Sequence, residues 1–406
     1  MNKGFNISRF QQLKTLYLEE VKYSITNNSP KILIETQKNV IRILLRNIST
    51  RIISIISKEY HKGLNPEKIL FIESSSQTDG FGIGDGIFKI PAIEATANYF
   101  NTKIDLICLE NRKNIFEGNP YISEIITTQG NDSISQITSI IGKLIFKKYD
   151  LVISLNHGTK IGIIKLLTGI RTPFINEDIR NIDVNMNHTK KNIVALSKHI
   201  PDMLEYLNKL PKLYISEDEK NLTKEKLKHI NGTKVAIFVG AINGLKDYKQ
   251  WDEIIKGLNK FTTGLNFILL GSTKDKNTAE VLTSKFSNVY NFVGETNLKE
   301  AYAIINEMDL CIGSDGSLTN AAVALEKKLI VLFSIIEPEK IISDIANNVE
   351  KITGNCPNNT RCHQINVAKK CVITGQTNRN FSDTPPCIQN IDNEEIIIKS
   401  INMIKK

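Results

Sequence analysis

Several features that define common protein classes are missing from this 406-residue sequence. It has no run of about 18 uncharged apolar residues, so a membrane-spanning helix is not expected. Its first segment (MNKGFNISRFQQLKTLYLEE) lacks the apolar core and cleavage site of a secretory signal. Zinc-finger spacing, an RNA-binding aromatic motif and a basic zipper are also missing, so no nucleic-acid partner is expected. These absences favour a cytoplasmic protein.

The charge balance is basic, with a formal net charge of +9. Such a protein is attracted to phosphates, acidic glycans and anionic membrane surfaces. Residues 39–57 form an apolar stretch interrupted by Arg42, Arg46 and Arg51. This pattern is typical of a helix lying on an anionic membrane, and also of one packed on the protein or on a sister subunit. Packing is the favoured interpretation, while peripheral contact with the inner membrane and a homo-oligomer both stay open.

The length and the apolar periodicity predict two α/β domains. From Lys68 onward, short apolar runs alternate with helical stretches such as 90–100 and 134–146, which is typical of a doubly wound parallel sheet. The strand-like runs are 69–72, 104–109, 124–127 and 151–155, and then 235–239, 266–270, 289–292, 310–312 and 329–333. We predict a helical N-terminal extension over 1–66, Rossmann-like domains over 67–215 and 216–390, and a terminal helix over 391–406.

Two acidic glycine turns follow strand-like runs, one in each half of the chain. Ser314-Asp315-Gly316-Ser317 leads into a small, apolar helix start, and Gly82-Ile83-Gly84-Asp85-Gly86 has the same strand-to-helix position. The first N–H groups of a helix have no partner within it, and its dipole favours negative charge there. The turns therefore predict a phosphate site in a cleft between the two domains, at the carboxyl ends of the strands.

An ordered set of motifs resembles the bacterial heptosyltransferases of glycosyltransferase family 9. In the first half, the set comprises Lys68-Ile69-Leu70-Phe71-Ile72, Gly82-Ile83-Gly84-Asp85, Pro91-Ala92-Ile93, Asn119-Pro120-Tyr121-Ile122 and Lys148-Tyr149-Asp150-Leu151. In the second half, it comprises Lys249-Gln250-Trp251, Leu269-Leu270-Gly271, Phe292-Val293-Gly294-Glu295-Thr296, the turn at 314–325 and Cys387. The resemblance covers about residues 67–406. It implies a two-domain transferase of the GT-B type that inverts the anomeric configuration, with an acceptor domain followed by a nucleotide-sugar domain.

Two residues match the family's catalytic positions. Asp85 is similar to its proposed general base, which takes the acceptor hydroxyl's proton as that oxygen attacks the anomeric carbon. The alternative is that Asp85 only caps the following helix. Lys249 matches the lysine of the family's Lys-x-Trp motif and would neutralise charge on the leaving diphosphate. Lys246 lies nearby and could replace it. The sequence has no Asp-x-Asp motif, so no metal cofactor is expected for catalysis.

The resemblance also implies donor-binding residues. They are Gly84, Lys249, Asp275, Thr296, Asp315, Gly316, Ser317, Leu318 and Asn320. Asp275 would hold the ribose hydroxyls, although it also fits an ordinary solvated loop, and Thr296 would lie near the adenine. The chain departs from the family at 315–320, where Ser and Gly are transposed and Asn320 replaces a histidine. Asparagine can still hydrogen-bond a phosphate or hydroxyl, but it cannot carry a proton or a positive charge.

Four of the six cysteines lie in the loop-rich stretch 355–388. Cys356, Cys362, Cys371 and Cys387 could hold a structural iron or zinc ion in tetrahedral geometry, with His363 as a substitute ligand. The family's autotransporter-modifying members are expected to bind iron in this region. Free thiols are the alternative in a reducing cytosol, and disulfides are the least favoured interpretation. Cys108 and Cys311 lie in apolar strands and are expected to be buried small hydrophobes.

The sequence thus predicts a glycosyltransferase that moves a heptose from ADP-heptose to a glycan of the lipopolysaccharide core or to a protein. A sugar-nucleotide epimerase of the same architecture is one alternative, but an epimerase needs further acid and base groups, and the chain has only six His. A non-catalytic scaffold that binds nucleotide sugars is the other, favoured by Asn320 and opposed by the presence of Asp85 and Lys249.

Overall fold

A computed structural model describes residues 60, 63–73, 82–129, 147–156, 171–179, 185–241, 244–356 and 385–405, with shorter pieces between 142 and 183. The predicted helical extension over 1–66 and the predicted helix over 134–146 lie almost entirely outside these residues. The statements below concern the described part of the chain.

The first sheet has five parallel strands in the order β3-β2-β1-β4-β5. Its strands are β1 (Ile69–Ile72), β2 (Ile104–Leu109), β3 (Ile122–Thr128), β4 (Leu151–Ser154) and β5 (Phe174–Asn176). The three central strands are buried at every position. Strands that are covered on both faces need nearly continuous apolar sequence, which these runs supply apart from Asp105 in β2 and Ser154 at the end of β4. The buried Asp105 carboxylate accepts a hydrogen bond from the Tyr149 hydroxyl at 3.0 Å.

The second sheet has six parallel strands in the order β11-β10-β9-β6-β7-β8. Its strands are β6 (Thr233–Phe238), β7 (Leu265–Leu270), β8 (Val289–Asn291), β9 (Leu310–Ser314), β10 (Leu329–Phe333) and β11 (Val349–Thr353). β9 runs beside β6 with Gly313 opposite Phe238. A Cβ on Gly313 would stand 2.6 Å from the Phe238 ring, so only glycine fits there.

Helices connect the strands. Several of these helices have N-terminal capping residues that can be recognised in the sequence. Ser216 with Glu219, and Asn297 with Glu300, form capping boxes in which the side chain of each residue bonds the backbone N–H of the other. The described helices are α1 (Ile90–Tyr99), α2 (Lys113–Phe116), α3 (His188–Ser197), α4 (Glu217–Leu227), α5 (Trp251–Phe261), α6 (Lys276–Lys285), α7 (Leu298–Asn306), α8 (Ser317–Ala324), α9 (Pro338–Ile341), α10 (Pro386–Gln389) and α11 (Asn393–Lys405).

Both strand orders reverse direction at one point, between β1 and β4 in the first sheet and between β6 and β9 in the second. A crevice forms where the connections leave in opposite directions, and ligands of doubly wound sheets bind there. The two acidic turns follow β1 and β9, so both lie at these positions. The predicted α/β architecture, with two Rossmann-like sheets facing a cleft, is confirmed.

The two sheets are joined by apolar packing and by polar contacts between domains. One continuous apolar cluster includes core residues of both sheets, such as Phe71 and Phe333. Lys190 on α3 pairs with Asp344 at 2.9 Å. On the other side, Lys299 on α7 bridges Glu117 at 3.1 Å and Glu219 at 2.8 Å. Among the described residues, no helix is long and apolar enough to cross a membrane.

Candidate active site

The acidic turn of the first domain follows β1 and begins with Gly82-Ile83-Gly84-Asp85. It forms a 3₁₀ helix over Ile83–Lys89, which we call the 83–89 turn, and α1 follows it directly. One oxygen of the Asp85 carboxylate accepts a hydrogen bond from the Gly82 backbone N–H. Asp85 therefore caps its own turn. Because its side chain is only half-buried, capping leaves the carboxylate accessible to a ligand.

Opposing electrostatic effects set the proton affinity of the Asp85 carboxylate. Burial is the largest effect, and it raises the pKa of Asp85. The effects that lower the pKa are the hydrogen bond from Gly82 and the positive charges of Arg112, Lys246 and Lys89. The net change is upward from the ordinary aspartate value. A carboxylate with a raised pKa is a stronger base, as abstraction of a hydroxyl proton requires.

The acidic turn of the second domain touches that of the first. A Cβ placed on Gly84 would stand 2.9 Å from Nδ2 of Asn320 and 3.0 Å from the Cα of Ser317. Glycine permits this approach because it has no side chain. The sequence expectation that the two turns face one cleft is therefore confirmed by direct contact.

The start of α8 is equipped to bind an anion or a hydroxyl group. Gly316, Ser317 and Leu318 form its half-buried beginning, and Thr319 Oγ1 accepts a hydrogen bond from the Gly316 N–H at 2.9 Å. Asn320 is only 6% exposed, and its Oδ1 atom has no hydrogen-bond partner. Ser314 Oγ, at the end of β9, is buried and unpartnered as well. Buried polar atoms without partners are destabilising, so their position beside a helix N-terminus indicates a ligand site.

Lys246 supplies a positive charge beside this helix start. It lies in a short 3₁₀ turn after β6, and its ammonium group pairs with the carboxylate of Asp315. Asp315 is 4% exposed, so the pair is largely shielded from water. The Lys246 charge also lowers the pKa of Asp85, which places it between the two acidic turns. Sequence reasoning treated Lys246 only as a substitute for Lys249.

Lys249 occupies a more open position in the same loop. Its side chain is half-exposed and pairs with Asp247 at 2.5 Å. Burial raises the pKa of Asp247, and the negative charge of Asp275 adds to that effect while Lys249 opposes it. Lys249 therefore faces the Asp247–Asp275 side of the cleft, whereas Lys246 faces Asp85 and Asp315. The catalytic role of Lys249 stays a prediction.

Asp275 and Thr296 lie at the carboxyl ends of β7 and β8. One Asp275 oxygen accepts hydrogen bonds from the Ser272 N–H at 2.8 Å and hydroxyl at 2.7 Å, so it caps a 3₁₀ turn. The carboxylate also lies directly against Gly240, where a side chain would clash. Thr296 is half-buried and immediately precedes the cap residue of α7. Both remain predicted donor contacts at the nucleotide side of the cleft.

The described residues include two of the four cysteines of the predicted metal site. Cys356 and Cys387 are each 8% exposed. Their segments are adjacent, since a Cβ on Gly354 would coincide with the Cys387 carbonyl oxygen. Cys362 and Cys371 lie outside the described residues, and so does His363. Within the described part of the chain, no group of three or more His, Cys, Asp or Glu side chains is placed to hold a metal ion. Cys108 and Cys311 are fully buried strand residues, as expected.

A buried group of charged side chains beneath the 83–89 turn was not anticipated from the sequence. Glu73 follows β1 and accepts hydrogen bonds from Lys89 at 3.2 Å and Arg112 at 2.7 Å. Asn156, after β4, donates to the Glu73 carbonyl at 2.7 Å. One feature of the sequence could have indicated this buried group. Glu73 directly follows the fully apolar strand β1, so its side chain is expected to be buried like the strand residues before it.

The chain matches one protein family over more than half of its length. The family described as glycosyltransferase family 9 (heptosyltransferase) matches residues 137–372. Among the curated proteins, none matches the sequence.

Three solved structures have a similar fold. ADP-heptose lipopolysaccharide heptosyltransferase II of E. coli aligns at a TM-score of 0.62 with 17% identity, covering 83% of this chain and 98% of that one. A family 9 glycosyltransferase of Veillonella parvula aligns at 0.64 with 13% identity, covering 86% and 99%. TibC, an iron-containing dodecameric glycosyltransferase of enterotoxigenic E. coli, aligns at 0.51 with 11% identity, covering 84% and 77%. At these identities the likeness establishes the fold.

Proposed function

Because the chain belongs to glycosyltransferase family 9 and is therefore a glycosyltransferase, we propose that it transfers a heptose from ADP-heptose to an acceptor hydroxyl. The observation that carries this proposal is the contact between the two acidic turns. It brings a carboxylate with a raised pKa next to a helix N-terminus, a buried lysine–aspartate pair and unpartnered polar atoms.

The proposed reaction uses Asp85 as the general base. Asp85 takes the proton of the acceptor hydroxyl, and the oxygen attacks the anomeric carbon of the donor sugar. The bond from that carbon to the phosphate oxygen breaks, and the diphosphate leaves with the electron pair. Attack on the face opposite the leaving group inverts the anomeric configuration. Base assistance of this kind typically contributes about two to four orders of magnitude in rate.

The diphosphate would bind at the start of α8. The N–H groups of Ser317 and Leu318 and the ammonium group of Lys246 supply positive charge where negative charge develops on the leaving phosphate. The Gly316 N–H is already bonded to Thr319 Oγ1, so Gly316 would contribute by letting the backbone approach the phosphate closely. Lys249 would extend this charge toward the nucleotide. Asp275 and Thr296 would lie at the ribose and adenine, since they occupy the neighbouring strand ends.

These positions support a different role for each of the two domains. We propose that residues 67–215 form the acceptor domain, because they supply Asp85, and that residues 216–390 form the nucleotide-sugar domain. The acceptor would be a glycan or a protein hydroxyl. We propose a cytoplasmic enzyme, and the net charge of +9 supports its peripheral contact with the anionic inner membrane. A homo-oligomer is also proposed.

The cysteines would stabilise the fold by binding a metal ion and would take no part in the transfer reaction. Cys356 and Cys387 are buried on adjacent segments, which suits two thiolate ligands of a structural iron or zinc ion. Such an ion would tie the 355–388 loop to the second domain.

Isothermal titration with ADP-heptose, UDP-N-acetylglucosamine and GDP-mannose would test the donor. We expect ADP-heptose to bind most tightly and Lys246→Ala to weaken its binding. Preferential binding of a different nucleotide would overturn the proposed donor while leaving the family unchanged.

A further inference from the structure

The 83–89 turn lies above three charged side chains that are almost completely withdrawn from solvent. Glu73 is 0% exposed, and Lys89 and Arg112 are each 1% exposed. The Glu73 Oε1 atom accepts from Lys89 Nζ at 3.2 Å and from Arg112 Nη1 at 2.7 Å. We call these three residues the buried charge cluster. Within the described residues, one carboxylate therefore binds two cations.

Burying three ionised groups is costly, and a stable fold rarely needs it. Desolvation of a buried ion pair commonly cancels its attraction, so apolar side chains of similar volume would stabilise a domain equally well. The second oxygen of Glu73, Oε2, has no hydrogen-bond partner at all. Buried charge that is incompletely compensated is more typical of functional sites than of cores.

Both cations are attached to the turn that carries Asp85. Lys89 is the last residue of this turn, and its Nζ atom also donates to the Glu73 carbonyl. Arg112 packs beneath it, because its Cδ atom would lie 3.6 Å from a Cβ on Gly86. Gly86, the residue next to Asp85, therefore packs against the Arg112 stem together with Ile115 and Phe116. Glu73 in turn is tied to the neighbouring strand by Asn156.

We infer that the buried charge cluster is a positioning device, in which Glu73 holds Lys89 and Arg112 so that their positive charge keeps Asp85 ionised and fixed in place. The inference rests on the proposed role of Asp85 as the general base. The charges of Arg112 and Lys89 both lower the pKa of Asp85, in agreement with this arrangement. Glu73 limits that effect by cancelling part of the positive charge.

Other ionisable groups also surround the turn, and the test leaves them unchanged. The start of α8 contributes none, since Ser317–Ala324 contains no charged residue. Among the described residues, the other titratable groups on the elements packed against the turn are Glu94, Tyr99, Glu110, His188, Lys190, Lys191, and Lys246 with its partner Asp315.

The test is the pH dependence of kcat/KM for three variants of the full chain with ADP-heptose and an acceptor. The acid limb of this profile reports the pKa of the free enzyme's base. Arg112→Gln removes a positive charge, so the limb should move to higher pH by about 0.5 pH unit or more. Glu73→Gln removes the negative charge, so the limb should move to lower pH. The double variant removes one charge of each sign, so it should restore the limb toward its original position.

Controls separate this inference from a purely structural role. Lys113 is the exposed neighbour of Arg112 in the chain, and its ammonium group pairs with Glu117 at 3.0 Å. Lys113→Gln removes this exposed charge and should leave the acid limb in place. Arg112→Lys keeps the charge and should do the same. A folded Arg112→Gln or Glu73→Gln variant that loses activity without any movement of its limb would overturn the inference. If only the double variant folds, a displaced limb in that variant would overturn it.

Failure of the proposed function would look different. In that case Asp85→Asn would keep near-normal turnover with an acid limb like that of the original chain. If Asp85→Asn abolishes turnover while the cluster variants keep their limbs in place, the base role stands and the positioning role is wrong.

Discussion

Gly84 of the first domain lies against Asn320 of the second, with 2.9 Å between the position of a Cβ on Gly84 and the Asn320 amide nitrogen. The two residues are 236 positions apart in the chain, and each follows a central strand of its own sheet. Their contact joins the two acidic turns into one site. It also leaves the Oδ1 atom of Asn320 buried and unpartnered beside that site.

Gly84→Ala should impair both folding and turnover. The added methyl group would overlap Asn320 and Ser317, so the domains must shift apart or the side chains must rearrange. Overpacking of this kind typically costs about 1–3 kcal/mol. Gly142→Ala is the matched control, because a Cβ at Gly142 meets no atom of the described residues within 4 Å. Thermal unfolding and kcat measure the two effects, and equal behaviour of both variants would argue against a tight domain contact.

Asp85→Asn should lower turnover by at least about two orders of magnitude, the usual scale for loss of a general base. Donor binding should be retained, because the change leaves α8 and Lys246 intact. Asp218→Asn, an exposed aspartate in the first turn of α4, is the control and should keep normal turnover. Near-normal turnover of Asp85→Asn would remove Asp85 from the mechanism.

The same Asp85→Asn variant should also be more stable at neutral pH. The pKa of Asp85 is higher in the folded chain than its ordinary value, so the folded state holds this proton more tightly than the unfolded state. The free energy of unfolding therefore decreases as pH rises from the unfolded to the folded pKa, and it stays lowered above that range. Asparagine does not ionise, so we expect a higher melting temperature at neutral pH than that of the original chain. The gain should vanish in acid, and a lower melting temperature at neutral pH would contradict the upward shift.

Lys246→Ala should weaken ADP-heptose binding and turnover more than Lys249→Ala does. Lys246 is shielded and pairs with the buried Asp315, whereas Lys249 is half-exposed and pairs with Asp247. A charge screened by water contributes less than one held near the phosphates. We expect about a tenfold or greater loss of affinity for Lys246→Ala in calorimetry. A larger loss for Lys249→Ala would favour the Lys-x-Trp lysine instead.

Brief EDTA treatment should leave turnover intact, because Lys246 and the start of α8 neutralise the leaving diphosphate. Asp309 and Asp315 lie at opposite ends of β9 and cannot act as a carboxylate pair for Mg²⁺. Metal in the purified protein should instead depend on the cysteines, so Cys371→Ser should lower both metal content and melting temperature. Activity that disappears with EDTA and returns with Mg²⁺, while the fold stays intact, would show that the charge-neutralisation mechanism is wrong.

The strands were predictable wherever burial on both faces required continuous apolar sequence. The runs at 69–72, 104–109 and 329–333 match β1, β2 and β10 to the residue. The strands that were missed are β5 and β11, at sheet edges. β5 has three residues, and β11 reads Val-Glu-Lys-Ile-Thr, where half-exposed charged positions hide the strand pattern. The terminal helix was also recovered, with α11 spanning Asn393–Lys405.

The candidate site was predictable in its backbone but not in its side-chain pairing. The two acidic turns have local signals, namely a strand followed by glycine and an acidic residue. Which of Lys246 and Lys249 faces the acidic turns depends on how the loop after β6 packs. The two lysines are only three positions apart, so the sequence alone could not decide between them. The buried charge cluster joins residues 73, 89 and 112 from three separate elements, so no local spacing could reveal it.

The most direct test of the central claim is product analysis after incubation with ADP-heptose and two acceptors, a lipopolysaccharide core glycan and a Ser/Thr-containing protein. We predict ADP release together with heptose attached to one acceptor in the inverted anomeric configuration, and loss of both products in Asp85→Asn. Retention of the donor's anomeric configuration in the product, or equal product formation by Asp85→Asn, would contradict the proposed mechanism.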